Sequence, residues 1–350
     1  MYTVKLITHK GKKRIAVYFE KKPDLIERFK KLPGSRWSST LKVWHLPDTV
    51  HYREMFGIVR SLIPKEQQLK IHKVNQPAIQ KLVAELQLKG YSENTLKTYR
   101  NEFAQLLYVL KDRSVNKLTA ETIRSYFLYC IKKLKMTENQ LHSRFNAVKF
   151  YFEKVLKREK IFVEIPRPKK PSRLPKVINA KEIKKMFDST ENIKHNLMLK
   201  LCYGMGLRVS EIVNLKIRDI DSRNMQVLIE RGKGKKDRYV NLPESVLSQL
   251  RAYYKDYRPK EYLFEGQYGG RYSVRSAQQV FKNALKKAKI NKEVGIHSLR
   301  HSYATHLLEA GTDISYIQKL LGHNNIKTTL LYTQVGNKDL KKIKSPLDAI

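Results

Sequence analysis

The sequence predicts a mainly α protein with small β elements, arranged as several modules. Apolar residues recur at three- and four-residue spacing over long stretches, which is the period of amphipathic helices. Short apolar runs near the N-terminus and on both sides of one Gly- and Lys-rich turn are typical of β-hairpins. At 350 residues the chain is long enough for two or three domains with separate cores.

Residues 1–66 predict a small α+β module. The runs TVKLITH, RIAVYFE and SSTLKVWHLP indicate strands, and PDLIERFKKL indicates a short helix with Pro23 in its first turn. Trp37 and Trp44 both lie in this module. We expect them to belong to its core rather than to form stacking platforms for bases.

Residues 75–160 predict a compact bundle of four amphipathic helices. Thr119 is placed to cap one of them, and Thr137 with Gln140 has the spacing of a capping box. The two cysteines, Cys130 and Cys202, lie in apolar helical contexts. We therefore expect buried thiols, and neither a disulfide framework nor a zinc site.

A basic, proline-rich linker is predicted at 161–176. It holds four prolines, which disfavour both helix and sheet, and cations that could follow a phosphate backbone, among them Lys169, Lys170 and Arg173. Residues 177–350 then predict a larger, mainly helical domain, with a capping box at Asn179. One hairpin interrupts it, formed by MQVLIER and DRYVNLP. The turn of this hairpin holds Lys233, Lys235 and Lys236.

The charge of the chain indicates a polyanionic partner. Lysine and arginine number 71 against 32 acidic residues, a net charge of +39, and the excess runs through every module. Contacts between these cations and phosphates release condensed counterions, which favours nucleic-acid binding. A ribosome-associated or merely solvated basic protein is the competing interpretation. A signal peptide and a long apolar run are both missing from the sequence, so we expect a soluble, intracellular protein without a membrane partner.

Four histidines in the last third of the chain raise the question of a metal site. His297 and His301 have the spacing of a metalloprotease helix, but Ser298 stands where that chemistry needs a glutamate. Only Glu293 and Glu309 are near in sequence as further carboxylates. We therefore expect no metal, and we interpret His301 and His306 as packing or orienting residues.

Polar residues spread over 177–350, some of these histidines among them, suit phosphoryl transfer from DNA. Guanidinium groups can neutralise the charge that gathers on the non-bridging oxygens, a lysine or histidine can protonate the leaving oxygen, and a phenol is a competent nucleophile. The candidates are Arg208, Lys233, His297, Arg300, His323 and Tyr332.

Four sequence blocks together resemble the tyrosine recombinase (phage integrase) family. They are GLRVSEIVNL, RGKGKKDRYVNLP, HSLRHSYATHLLEAG and LLGHNNIKTTLLYT. The resemblance covers roughly 75–350 and implies a helical core-binding (SAM-like) domain at 75–160 and a mixed α+β tyrosine recombinase catalytic domain at 177–350. It identifies the 1–66 module as similar to the arm-binding modules of integrases.

The resemblance also implies a role for each candidate. Tyr332 corresponds to the nucleophile, Arg208 and Arg300 to the phosphate-binding arginines, and Lys233 to the lysine that protonates the 5′-oxygen. His297 corresponds to a proton acceptor or phosphate ligand, and His323 to a phosphate-positioning residue. Glu211 resembles an acidic residue that orients the cations. Lys169, Lys170, Arg173, Lys235 and Lys236 are expected to contact DNA.

The implied activity is cleavage and rejoining of double-stranded DNA through a 3′-phosphotyrosine, with no cofactor. Family resemblance implies a homotetramer on two duplexes, assembled by exchange of the C-terminal tail at 338–350, with a possible accessory DNA-bending protein or partner recombinase. We expect a bacterial cytoplasmic protein at the nucleoid. A mobile-element integrase is favoured over an Xer-type dimer resolvase. A type IB topoisomerase and a non-catalytic DNA-binding protein are the alternatives from other classes.

Overall fold

The described residues of the computed structural model are 2–58, 62–158, 162, 165–167, 174–230 and 237–334. They fall into two compact units, one drawn from 1–58 together with 174–350 and the other from 59–173. Helices predominate and the sheets are small, as the sequence predicts.

A four-stranded antiparallel sheet opens the first unit, with the strand order β1-β2-β4-β3. Its strands are β1 (Tyr2–His9), β2 (Lys12–Phe19), β3 (Arg36–Ser38) and β4 (Val43–Pro47), and the helices beside it are α1 (Pro23–Lys30) and α2 (Val50–Met55). Ile15, Val17, Phe29, Leu46 and Tyr52 form its buried core.

The two tryptophans of this sheet differ in burial. Trp44 packs against the core, as expected, but Trp37 is 42% exposed, so its prediction as a core residue is wrong. The reason is its position on β3, an edge strand that the sequence patterns did not predict. The Trp37 ring contacts the Trp44 ring at 5.5 Å, and the Lys21 ammonium lies over it.

A loop at 266–270 packs against this sheet within the same unit. The Tyr268 ring joins the hydrophobic core of the sheet. Gly270 has a φ of +65°, and a Cβ there would lie 2.8 Å from His51 Nδ1 and 3.1 Å from His51 Cβ. Only a glycine permits both this backbone conformation and this approach.

The second unit is a helical bundle, and four of its helices lie within 75–160, where the sequence predicts four. Its helices are α3 (Lys65–Lys70), α4 (Gln76–Leu88), α5 (Glu93–Leu110), α6 (Ala120–Lys132) and α7 (Glu138–Phe150), and a π-helical turn continues α7 over Tyr151–Val155. The predicted caps form: Thr119 Oγ1 accepts from the Thr122 amide, and Gln140 Oε1 accepts from the Thr137 amide. Cys130 is buried between these helices.

The rest of the first unit is helical around a three-stranded antiparallel sheet of order β5-β6-β7. The strands are β5 (Ile220–Asp221), β6 (Gln226–Ile229) and β7 (Arg238–Asn241). The helices are α8 (Ala180–Asp188), α9 (Ile193–Gly204), α10 (Val209–Asn214), α11 (Leu247–Tyr257), α12 (Val274–Lys287), α13 (His297–Glu309), α14 (Ile314–Leu321) and α15 (Ile326–Leu330).

Strands β6 and β7 form the hairpin that the sequence predicts, and Asn179 caps α8 through the predicted box with Glu182. Cys202 is buried in α9. The turn of the hairpin and the linker residues 168–173 lie outside the described residues. Among the helices that the structure describes, none combines the length and the apolar character that crossing a lipid bilayer requires.

The contact at Gly270 gives a stability prediction. Gly270→Ala should lower the free energy of unfolding by about 2–4 kcal/mol, because it adds a steric clash with His51 to the strain of a left-handed backbone. Gly11→Ala is the matched control, since Gly11 has a φ of +72° with no atom within 4 Å of the added Cβ. Gly11→Ala should lower the free energy of unfolding by about 1 kcal/mol, from the backbone strain alone.

The energy of this clash is measured by a double-mutant cycle. Urea unfolding gives the free energies of the unsubstituted chain, Gly270→Ala, His51→Ala and the double variant. His51→Ala should remove most of the excess cost of Gly270→Ala. If the two glycine variants lose equal stability, the close packing of this loop on α2 is wrong.

Candidate active site

Helix α13 brings two candidate side chains and one further histidine onto one face. His297, Arg300 and His301 are spaced i, i+3 and i+4, so they lie one above the other on the helix surface. Arg300 is among the most buried large side chains, at 1% exposure. A buried guanidinium needs fixed acceptors, which the neighbouring loops provide.

A glycine turn places Arg208 beside this face. Gly206 has a φ of +59°, and a Cβ there would lie 2.4 Å from the Tyr303 ring on α13. The absence of a side chain lets the backbone run against α13. Arg208 follows as the N-cap of α10, so its side chain starts next to Arg300.

Glu211 joins three arginines. One of its carboxylate oxygens accepts from Arg208 Nη1 at 2.7 Å and the other accepts from the Arg208 amide at 2.9 Å. Arg238 Nη1 and Nη2 donate to the two oxygens at 3.0 and 2.8 Å, and Arg300 Nη1 lies 3.8 Å away. Burial raises the pKa of Glu211, but the Arg238 and Arg208 contacts outweigh it and bring the pKa to about 2. The carboxylate is therefore ionised at neutral pH.

Backbone carbonyls accept hydrogen bonds from further guanidinium donors of Arg300 and Arg238. Arg300 Nη1 donates to the Gly206 carbonyl at 2.8 Å, and Nη2 donates to the Leu321 carbonyl at 2.5 Å. Arg238 Nε donates to the Leu320 carbonyl at 2.9 Å. Leu320 and Leu321 end α14, where the carbonyls carry partial negative charge. Helix α14 thus fixes the orientation of two arginines.

His323 follows directly on this helix end. Gly322 closes α14 in a left-handed conformation, and a Cβ there would lie 2.9 Å from the Arg238 side chain. His323 Nδ1 and Thr329 Oγ1 form a hydrogen bond of 2.9 Å, and Gln318 donates to the His323 carbonyl. These contacts fix the orientation of the imidazole next to the end of α14, where Arg238 and Arg300 are also bound.

Tyr332 lies two residues after the end of α15 and is 3% exposed. Its ring stacks against the His323 ring at 6.4 Å, with 13° between the ring planes. Its hydroxyl is 3.1 Å from His301 Nδ1. Burial raises the pKa of the phenol, while the positive charges of Arg300 and Arg208 act in the opposite direction. The phenol is therefore protonated at neutral pH.

His297 completes the cluster. Its ring contacts the His301 ring edge-on at 4.6 Å. Burial lowers the pKa of His297 to about 4, with further lowering by His301 and Arg300. The imidazole is therefore neutral at pH 7 in the absence of an added anion.

The structure brings together, from separate segments, six of the residues singled out in the sequence: Arg208, Glu211, His297, Arg300, His323 and Tyr332. Six others lie outside the described residues, namely Lys169, Lys170, Arg173, Lys233, Lys235 and Lys236. His306 hydrogen-bonds with the Tyr203 hydroxyl at 2.9 Å, which agrees with a packing interpretation.

Two residues of the site were missed or underrated from the sequence. Arg238 has no spacing signal beyond its place at the start of β7, yet it pairs with both oxygens of Glu211. His301 was interpreted as a packing or orienting residue, and it contacts the Tyr332 hydroxyl.

Chemically, the site is a cluster of cations beside a phenol. Three guanidiniums share one carboxylate, so two positive charges remain to meet an anion. Fixed guanidinium donors of this kind recognise phosphate oxygens well. Within the described ranges, histidine, cysteine and carboxylate side chains form no group of three or more that could hold a metal ion.

Comparison with known proteins agrees with this arrangement. The phage integrase family matches residues 176–338, and the N-terminal SAM-like domain of phage integrases matches 79–161. A putative integrase/recombinase, y4qK, of Sinorhizobium fredii is 37% identical over 279 residues, which are 79% of this chain and 90% of that protein. Tyrosine recombinase XerA of Pyrococcus horikoshii is 34% identical over 277 residues, which are 77% of this chain and 93% of that protein.

A solved structure shares the fold. The lambda integrase dimer bound to a COC′ core site aligns with a TM-score of 0.63 at 18% identity, over 77% of this chain and 98% of that one. The two domain matches follow each other along the chain in the order that the sequence blocks predict, and relatives above 30% identity are covered over most of their length. This chain belongs to the tyrosine recombinase (phage integrase) family.

Proposed function

We propose that this tyrosine recombinase is a site-specific recombinase or integrase that cuts and rejoins DNA through a 3′-phosphotyrosine, independently of metal and ATP. The observation that carries the proposal is geometric. Arg208 and Arg300 meet at Glu211, and the Tyr332 hydroxyl lies 3.1 Å from His301, the residue after Arg300 on α13. Two fixed cations beside a phenol suit displacement at a phosphodiester, because charge develops on the non-bridging oxygens as the phenol attacks.

Each residue takes one role in this proposal. Arg208 and Arg300 bind the non-bridging oxygens of the scissile phosphate, and Tyr332 attacks phosphorus. His297 and His323 bind and position the phosphate. Lys233 protonates the leaving 5′-oxygen, an assignment that rests on the sequence. Because the phosphotyrosine is itself a phosphodiester, a new 5′-hydroxyl can displace the tyrosine without ATP.

For the biological role we favour a mobile-element integrase over an Xer-type dimer resolvase. Both a putative integrase/recombinase and an Xer recombinase are among the relatives, so similarity alone does not decide between the two roles. Our preference rests on the N-terminal module. Its sheet exposes Lys5, Lys12 and Lys13, which suits the binding of a second, arm-type DNA site.

We further propose that five other cations contact the duplex: Lys169, Lys170, Arg173, Lys235 and Lys236. The protein acts in the bacterial cytoplasm at the nucleoid, with or without an accessory DNA-bending protein or partner recombinase.

We also propose a homotetramer on two duplexes, held together by exchange of C-terminal tails. The support is an apolar cavity of about 520 Å³ in the first unit, lined by side chains that include Phe187, Tyr203, Tyr303 and Leu307. The sequence at 338–350 carries apolar residues at three- and four-residue spacing that could fill such a cavity: Leu340, Ile343, Leu347 and Ile350. In this proposal the tail of one protomer occupies the cavity of the next.

Covalent trapping tests the nucleophile. Tyr332→Phe should abolish covalent attachment to a plasmid carrying the DNA that flanks the coding region, because the attacking oxygen is gone, while affinity for that DNA stays within about threefold. Denaturing gels measure the attachment. Tyr316→Phe is the control, since Tyr316 is 61% exposed on α14 and should trap DNA normally. Equal trapping by Tyr332→Phe would remove the assignment, and relaxation of a site-free plasmid would favour a type IB topoisomerase.

Deletion of 338–350 tests the tail exchange. The truncated chain should bind a single site normally but fail to form a synaptic tetramer and to exchange strands, because each apolar cavity stays unfilled. Leu307→Glu in the full-length chain should give the same defect. Native gels with two labelled duplexes measure assembly. Unchanged synapsis and strand exchange after the deletion would contradict tail exchange and leave the cleavage chemistry untouched.

A further inference from the structure

The nucleophilic tyrosine of the proposed function has a histidine at its hydroxyl. His301 Nδ1 lies 3.1 Å from the Tyr332 oxygen, with the two ring centroids 5.7 Å apart. His301 lies one helical turn after His297 on α13, and the same helix supplies Arg300. The contact therefore joins the phenol to the helix that binds the scissile phosphate.

The protonation states of the pair define the direction of the hydrogen bond. Burial, with a further contribution from Arg300, lowers the pKa of His301 to about 4, so its imidazole is neutral at pH 7. The phenol is protonated, because burial raises its pKa. The Tyr332 hydroxyl accordingly donates to the Nδ1 lone pair, and the ring proton of His301 lies on Nε2.

The other histidines are arranged for different contacts. His323 directs Nδ1 to Thr329 Oγ1 at 2.9 Å and offers its ring face to Tyr332. His297 packs edge-on against His301. His301 thus has a ring nitrogen within hydrogen-bonding distance of the reacting oxygen.

We propose that His301 is a further catalytic residue, the general base that accepts the phenolic proton when Tyr332 attacks DNA. This inference rests on Tyr332 being the nucleophile. As the bond from the phenolic oxygen to phosphorus forms, the proton moves to His301 Nδ1. The bond from phosphorus to the 5′-oxygen breaks, and that oxygen takes its proton from the general acid on the other side of the phosphate. On rejoining, His301 returns its proton to the departing phenol.

Binding of DNA makes His301 a stronger base. The charged and titratable groups around the pair include Arg300, Arg208, His297, His323 and Glu211. Arg300 lowers the basicity of His301, and a scissile phosphate held by Arg300 offsets that positive charge. The base is therefore weak in the free protein and gains basicity when the substrate anion arrives.

The test is single-turnover cleavage of a duplex taken from the DNA that flanks the coding region, nicked just beyond the mapped cleavage position. His301→Asn keeps an acceptor near the Nδ1 position, but an amide does not take up a proton. Cleavage at pH 7 should fall about 100-fold or more, with DNA affinity unchanged. His195→Gln is the matched control, because His195 Nε2 forms a similar contact with the Tyr272 hydroxyl, at 3.3 Å, away from the site. It should cleave at the unsubstituted rate.

Two further measurements distinguish a base from a positioning residue. Cleavage by His301→Asn should rise about tenfold per pH unit from pH 7 to 9.5, because the ionised fraction of the phenol, which needs no base, grows at that rate below its pKa. A 5′-bridging thio duplex, whose sulfur leaves without protonation, should not restore it. Should His301→Asn fold poorly, His301→Ala with added imidazole supplies the base from solution, and cleavage should then rise with imidazole concentration.

Opposite outcomes overturn the proposal. Cleavage by His301→Asn within threefold of the unsubstituted rate excludes a base at this position. Rescue by the thio duplex assigns His301 to the leaving-group side, and loss of cleavage in both variants without rescue by pH or imidazole assigns it to positioning. Tyr332→Phe, tested in parallel, distinguishes failure of this inference from failure of the proposed function. Covalent product from Tyr332→Phe would refute the proposed function itself.

Discussion

The site depends on the pairing of one buried carboxylate with three guanidiniums. Arg208, Arg238 and Arg300 carry like charges at close range in a largely buried environment, and their mutual repulsion would separate them without Glu211. Glu211 neutralises one charge, and carbonyls at the end of α14 accept further donors. The remaining positive charge is held rigidly, so a phosphate can bind without prior rearrangement.

The fold serves this cluster by bringing separate segments to one point. The Gly206 turn sets Arg208 against α13, β7 supplies Arg238, and the end of α14 fixes Arg300 and His323. Each segment contributes a group that would be ineffective alone. The phenol of Tyr332 then lies between a stacking imidazole and a hydrogen-bonding one, so its orientation and the fate of its proton are set by His323 and His301.

Local signals in the sequence predicted much of this architecture. Caps such as Asn179 and the hairpin strands follow from residue type and spacing alone. The family blocks singled out Arg208, Arg300 and Tyr332 as candidates. Long-range contacts could not be predicted in the same way. Arg238 pairs with a residue 27 positions away, and His301 contacts one 31 positions away. The exposure of Trp37 likewise depends on strand order, which no local pattern encodes.

The pH dependence of unfolding in Glu211→Gln tests the central pairing most directly. The carboxylate has a pKa of about 2 in the folded chain, below its ordinary value, so its stabilisation is full above pH about 4.5 and is lost as the pH falls towards 2. The difference in unfolding free energy between the unsubstituted chain and Glu211→Gln should reach about 3 kcal/mol at pH 7 and shrink steadily between pH 5 and 3 in urea titrations. Glu230→Gln, at an exposed pair with Arg218, should differ little at any pH. A Glu211→Gln difference that stays constant from pH 7 to pH 3 would contradict the account.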